Sequence, residues 1–535
     1  MAEQEVGLHS DHRHDDHQQG EPNHGDHGHD EHDQRDGGED SPGGQDHCGG
    51  DQHGHAMSVD DRRRMLQTHH RQTLWCYWSI VALGLWLLVA PWSFGYLNEG
   101  LWVDPSGGRG VWFSDQTHTT LRAWLMTWSD ILSGAVLVVL GWRALSTDRP
   151  VSLWGCCFVG VWLTAAPVVL WAPTASGYLN DTLVGAWLIS LTILVPGMPN
   201  MIMYMKHGPP TPPGWTYNPS SWPQRWIMIA TGLAGWLVSR YLAVYQLGYT
   251  TYVWDPFFGF AQGTRQVLDS KMSHAWPISD AGLGSLSYTF EFLMGFMGSP
   301  SRWRTMPWMV AFFGVLVIPL GLTHIFLVAS QPVLVHHWCS MCLLAALIML
   351  PMIPLEVDEV VAMCLHVVRA KRRGDRGGSL WAIFWKGGEA EGCTPDERSP
   401  ELIELPRRPR EVFLASIWGM SFPWTLTAST ALGVALMAAP AWLGVGVETA
   451  AADVAHIGGA LIATVSVVCM GEVVRVGRLL NIPLGVAVAA APWALDGGGV
   501  VYGVACTAMG LAVAALSAPR GVVCERYGSW DRFVR

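Results

Sequence analysis

Charge is scarce in this sequence. Asp, Glu, Lys and Arg make up 14% of its 535 residues, while apolar side chains make up half. A chain so poor in charge and so rich in Trp is composed like a polytopic membrane protein, not like a soluble enzyme. Its eleven cysteines lack the spacing of a disulfide framework or a zinc knuckle, so neither device organises the chain. The start is polar and acidic, so no cleavable signal peptide is expected and the first span is expected to direct its own insertion. No nucleic-acid partner is expected.

What charge there is lies unevenly. Residues 1–61 carry seventeen Asp and Glu against two Arg, and thirteen of the 21 His fall by residue 70. With almost no large apolar side chain, this stretch cannot bury enough surface to offset its ordering, so residues 1–70 are expected to form a disordered His/Asp-rich tail. Imidazole and carboxylate together suit divalent transition metals. His12, His14, His17, His24, His27, His29 and His32 are therefore candidate ligands of a metal-buffering tail; the plainer alternative is a solubilising one.

Apolar spans alternate with short loops from residue 75 onward. Twelve are expected, near 75–96, 125–145, 152–173, 182–204, 224–248, 282–298, 307–329, 334–354, 422–445, 453–473, 479–495 and 499–517. If the N-terminus is inside, the inner loops hold Arg143, Lys206, Arg225, Arg302, Arg304, Arg369–Arg373, Arg475 and Arg520, whereas the outer ones hold little beyond Arg109, Arg265 and Lys271. The positive-inside rule then places both termini in the cytoplasm. The fold class expected is all-α and polytopic, in a bacterial inner membrane among its lipids.

Cys339-Ser340-Met341-Cys342 is the only Cys-x-x-C in the chain. It opens an apolar run, at what this topology makes the outer, oxidising face. One helical turn brings such sulfurs within reach of each other, and a helix N-terminus favours the thiolate. A redox pair is the sharp reading and two small packing residues the bland one. His336-His337-Trp338 just before it, with the cysteines, raise a His/Cys metal site. His324, read as level with the cysteines, is a candidate tuner of a thiolate or a satisfied core histidine. Arg240 and Glu291 are expected to pair, or Arg240 to reach the interface. Glu356, Asp358 and Glu359 read as a solvated face.

Two sets of spans repeat. Ala90-Pro91-Trp92 late in one span precedes Asp130-Ile131-Leu132-Ser133-Gly134, and Ala166-Pro167 precedes Asp181-Thr182-Leu183-Val184-Gly185. Ala439-Pro440-Ala441-Trp442 and Ala491-Pro492-Trp493 follow the theme with Asp453 and Asp496. Asp is expected to cap the second helix of each pair, and Gly to let helices approach. These pairs resemble the bacterial SPW-repeat family over roughly 74–205 and 415–517.

The central spans resemble the vitamin K epoxide reductase family. The resemblance rests on Trp338-Cys339-Ser340-Met341-Cys342 and on the outer loop, Gly263-Thr264-Arg265-Gln266-Val267-Leu268-Asp269-Ser270-Lys271-Met272-Ser273, then Pro277 to Gly284 and Tyr288. It implies a four-helix bundle with a quinone, ubiquinone or menaquinone, beside the inner cysteines. It implies that Cys339 and Cys342 are the catalytic pair, with Cys342 facing quinone, and a thioredoxin-like partner on the outer side. His324, Trp338 and Ser270 are the candidate cofactor-binding residues. One departure stands out: the family's second pair of cysteines, in the outer loop, is missing, and Thr264 stands where one would be.

The expected organisation is therefore a tail (1–70), a repeat pair of four spans (71–206), a four-helix bundle (220–372), a cytoplasmic linker (373–420), a second repeat pair (421–518) and a cytoplasmic tail (519–535). The expected function is a membrane thiol–disulfide oxidoreductase coupling Cys339/Cys342 to quinone. The alternative is a non-enzymatic scaffold or metal-handling protein on a degenerate bundle.

Overall fold

The structure is a computed structural model that describes residues 59–106, 117–146, 151–194, 209–257, 262–446, 448–497 and 499–534. The seven tail histidines named above lie outside the described residues. Among those described, the chain is helical without strands. The long helices are α1 (Leu74–Ser93), α2 (Thr117–Ala144), α3 (Val151–Val169), α4 (Ala175–Leu194), α5 (Trp222–Gln246), α6 (Asp280–Gly295), α7 (Pro307–Leu334), α8 (Ser340–Arg373), α9 (Trp424–Trp442), α10 (Ala450–Val468), α11 (Asn481–Ala494) and α12 (Val500–Ser517).

Among the described residues eleven helices are long and apolar enough to cross a membrane, so the protein is multi-pass. The expected twelfth, α6, has 16 residues and holds Glu291, which makes it short for a bilayer by itself. Outward-facing Trp75, Trp92, Trp142 and Trp187 suit a lipid boundary. The tail expectation overreached at its end, since Val59–Gln72 is a helix and His70 Nε2 lies 2.9 Å from Leu145 O.

Four helix pairs share one packing device. α1 meets α2 at Gly84 and Gly134, α3 meets α4 at Gly160 and Gly185, α9 meets α10 at Gly433 and Gly459, and α11 meets α12 at Gly485 and Gly510. A Cβ on Gly84 would lie 2.9 Å from Gly134 O, and one on Gly134 2.7 Å from Gly84 O, so only glycine permits the approach. In each pair the first glycine precedes a helix-ending proline by the same seven residues: Pro91, Pro167, Pro440 and Pro492. The aspartates do not cap. Asp130 and Asp181 sit inside α2 and α4, fully buried. Counting back from Gly459 and Gly510, Ala455 and Cys506 occupy their places, so Asp453 and Asp496 are not their counterparts.

The pairs flank a bundle of α5–α8. α8 has 34 residues, about 51 Å at the helical rise, so it outruns a core of roughly 30 Å. It starts at the cysteines and ends on Lys371, Arg372 and Arg373. Near that basic end Glu356, Asp358 and Glu359 are 1–2% exposed, so they do not form a solvated face. Glu359 receives Arg302 through Nε at 2.6 Å and Nη2 at 2.5 Å, and also bonds the Ser220 hydroxyl. Asp358 accepts from Tyr217 at 2.6 Å. The sequence hides this because the partners lie far away in it.

Segments read as linker and tail are fixed in place at this end. Thr211 bridges Thr394, Trp215 bridges Tyr527, and Met420 bridges Gly471. Arg398 grips Glu525 at 2.6 and 2.8 Å, and Glu472 takes the backbone N–H groups of Cys524 and Glu525.

Candidate functional site

The site begins where α7 turns into α8. His336 adopts φ 60°, a left-handed conformation uncommon outside glycine, which reverses the chain sharply. Cys339 then becomes the N-cap of α8, its sulfur accepting from Cys342 N–H at 3.0 Å. The sulfurs of Cys339 and Cys342 are bonded to each other, with Cα atoms 5.2 Å apart. On reduction the first sulfur would sit at the positive end of a long helix, where a thiolate is favoured.

The loop between α5 and α6 closes over this turn. Asp255 accepts from Thr264 N at 2.7 Å and from the Ser340 hydroxyl, and Ser340 N donates to Thr264 Oγ1 at 3.1 Å. Phe257 N reaches Ser340 Oγ at 3.3 Å. Beneath, Cys339 N donates to Gln331 Oε1 at 3.1 Å. The rest of the loop is tied to Gln246, which contacts Ser273 at 2.8 Å, Asp280 at 2.5 Å and Ser279 at 2.6 Å. Cys339 is left fully buried and Cys342 half-buried, both within an apolar cluster including Leu242, Tyr245, Val267 and Leu268. Thr264 lies against the cysteine turn, fully buried. Its hydroxyl accepts the Ser340 N–H and so holds the first turn of α8, next in sequence to Cys339.

The other residues expected at the site disperse. Gly321 packs level with Met349 and Ile353, so His324 sits about two turns deeper than Cys342 and not level with it. Trp338 turns away toward α10, meeting the His456 ring edge-on at 5.2 Å. The His456 nitrogens lie 2.9 Å from Ala329 O and 3.1 Å from Met437 O, which ties α10 to α7 beside the turn. Ser270 is consumed locally, donating to Val267 O at 2.7 Å and accepting from Ser273 N at 3.3 Å. Arg240 and Glu291 do not pair: Arg240 donates to Thr182 at 2.7 Å, and Ser287 donates to Glu291 at 3.2 Å. Among the described residues no group of three or more His, Cys, Asp or Glu is placed to hold a metal, so His336 and His337 form no such centre with the cysteines.

Asp255, Gln331, Gln246 and Tyr241 belong to the site and went unread in the sequence. Asp255 and Gln331 are ordinary polar residues 84 and 8 positions from Cys339, and no spacing marks them. The Tyr241 hydroxyl accepts from Trp254 N at 2.8 Å, in the same cluster as Cys342.

A bonded Cys-x-x-C at the mouth of a four-helix membrane bundle, under a polar loop, defines a thiol–disulfide membrane domain. Residues 226–357 match the vitamin K epoxide reductase family. The chain therefore carries a vitamin K epoxide reductase family domain, a membrane thiol–disulfide oxidoreductase at the level of the family, with further helices on either side of it. No curated protein and no solved structure matches the chain.

Proposed function

We propose that the protein oxidises thiols at the Cys339–Cys342 disulfide and passes the electrons to membrane quinone. In the first half-reaction two donor thiols become a disulfide while Cys339 and Cys342 become a dithiol. In the second the dithiol closes again, and quinone takes two electrons and two protons to become quinol. The observation that carries this reading is the paired cysteines at the head of α8 within the matched family domain.

The division of labour follows exposure. Cys342, half-buried among apolar side chains with Tyr241 close by, suits a quinone ring, which needs an apolar wall and a hydroxyl donor. Ubiquinone and menaquinone both meet that requirement. Cys339 is sealed beneath the loop, so a thioredoxin-like protein or a small thiol reaches it only when Asp255 and Thr264 let go of Ser340. The basic loops support a bacterial inner-membrane location with both termini cytoplasmic and the cysteines outside. The four glycine-crossed pairs support reading 71–206 and 421–518 as SPW-type repeats around a bundle of 220–372.

The direct test supplies dithiothreitol and a soluble quinone to the purified protein in nanodiscs and follows quinol formation. Cys339→Ser and Cys342→Ser should each fall to background. Full activity in both variants would end the proposal.

A further inference from the structure

The redox chemistry leaves unused the pair of aspartates in the first four helices. Asp130 on α2 and Asp181 on α4 are both fully buried, and the same side-chain amide reaches both carboxyls. Two charged carboxylates held this close and out of water repel each other, and a proton on either one relieves that. Asn180 lies between them, its Nδ2 3.5 Å from Asp130 Oδ2, 3.2 Å from Asp181 Oδ1 and 3.2 Å from the Tyr96 hydroxyl. Asp130 Oδ1 and Asp181 Oδ2 remain without a hydrogen-bond partner. Among the described residues no ion pair links either carboxyl to a cation.

The second half of the protein supplies the control. Its helix pairs pack through the same glycine crossings with Ala455 and Cys506 in the two positions. The fold of a pair therefore does not need the carboxyls. Retaining two acids in the low-dielectric interior of a membrane segment is costly, and such groups mark ion or proton sites.

We propose that Asp130 and Asp181 form a site that binds and releases a proton. Asn180 orients both carboxyls, and its own Oδ1 is fixed by Trp86 Nε1 at 2.9 Å. Trp86 and Asn180 line a lipid-side cavity of about 440 Å³, whose other walls include Leu83, Phe94, Leu179 and Trp187. Each surrounding element sets the charge the pair meets. Tyr96 follows α1. Arg122 on α2 is taken by Trp171 O and Asp104. α3 has no charged residue. Tyr178 is on α4, with Arg240 of α5 lying over its ring and bonded to Thr182. Tyr249, after α5, donates to Ala172 O. Arg240 thus joins the helix that carries Asp181 to the bundle that carries the cysteines.

The test is infrared difference spectroscopy of the full chain in nanodiscs, titrated with pH in sodium-free buffer. A protonated-carboxyl band should weaken as pH rises, shift in heavy water, and lose at least half its intensity in Asp130→Asn and in Asp181→Asn. It should persist in Glu291→Gln and in Cys339→Ala, which separates this site from the redox pair. If the Asn variants fail to fold, D130A/D181C borrows the residues that the second half packs with, and the band should vanish there too. A band unchanged in these variants, or one that never responds to pH, would overturn the proposal. So would a band that sodium chloride displaces at fixed pH, since the site would then bind a metal cation.

Discussion

At the residue scale the site turns on Thr264. Its hydroxyl accepts from Ser340 N and so completes the first turn of α8, a net contribution of about 1 kcal/mol. A thiol in the same place would face the cysteine turn. Thr264→Cys should therefore form a bond to Cys339 once the resident disulfide is opened, detected as a cross-linked peptide between the loop and α8 under non-reducing mass spectrometry. A free thiol at 264 after reoxidation would contradict the geometry. Thr264→Val should lower the melting temperature by a few degrees without releasing the disulfide. The bonded Cys-x-x-C was legible because the pairing is local: four residues at a helix start. Asp255 and Gln331 were not, because each acts through a contact that only the folded loop creates. His324 misled for a related reason, since α7 runs ten residues past it to Leu334.

At the element scale two structures matter, the loop between α5 and α6 and the crossed helix pairs. The loop is latched by Asp255, which binds both Thr264 and Ser340. Asp255→Ala should loosen it and speed reduction of Cys339–Cys342 by dithiothreitol several-fold, read by timed alkylation; an unchanged rate would mean that the latch does not gate access. In the pairs, Gly134→Leu would drive a side chain into the backbone at Gly84 and should prevent α1 and α2 from packing, seen as loss of folded protein in detergent. The first two helix pairs were visible in sequence through their prolines and glycines, whose spacing is a property of each helix, and the later two through their prolines alone. The aspartates could not be placed the same way. A capping role and a buried role look alike until the helix start is fixed, and α2 begins thirteen residues before Asp130.

At the scale of the whole molecule, the basic end is a closed layer stitched by buried charge. Arg302 and Glu359 are 1% and 2% exposed. Glu359→Ala leaves Arg302 buried without its partner, a loss of roughly 3–5 kcal/mol, and should be the most destabilising single change at this end, read by thermal unfolding. The same layer sets an alkaline limit. Burial, then the neighbouring Asp358 and Tyr527, hold the Tyr217 hydroxyl protonated well above its usual range. The stability that this adds is complete below about pH 10 and is lost as pH rises further, because the unfolded chain ionises first. Melting temperature should fall above that pH, and less steeply in Tyr217→Phe. The membrane class was plain from composition alone, but this layer was not: Arg302 and Glu359 are 57 residues apart and Tyr217 and Asp358 141 apart, beyond any periodic signal. Most direct for the redox reading is an anaerobic thiol count on the reduced protein after one equivalent of quinone. Loss of two thiols for each quinol formed, confined to the peptide bearing Cys339 and Cys342, is the result expected. Quinol formed with both thiols still free, or no quinol at all, would contradict it.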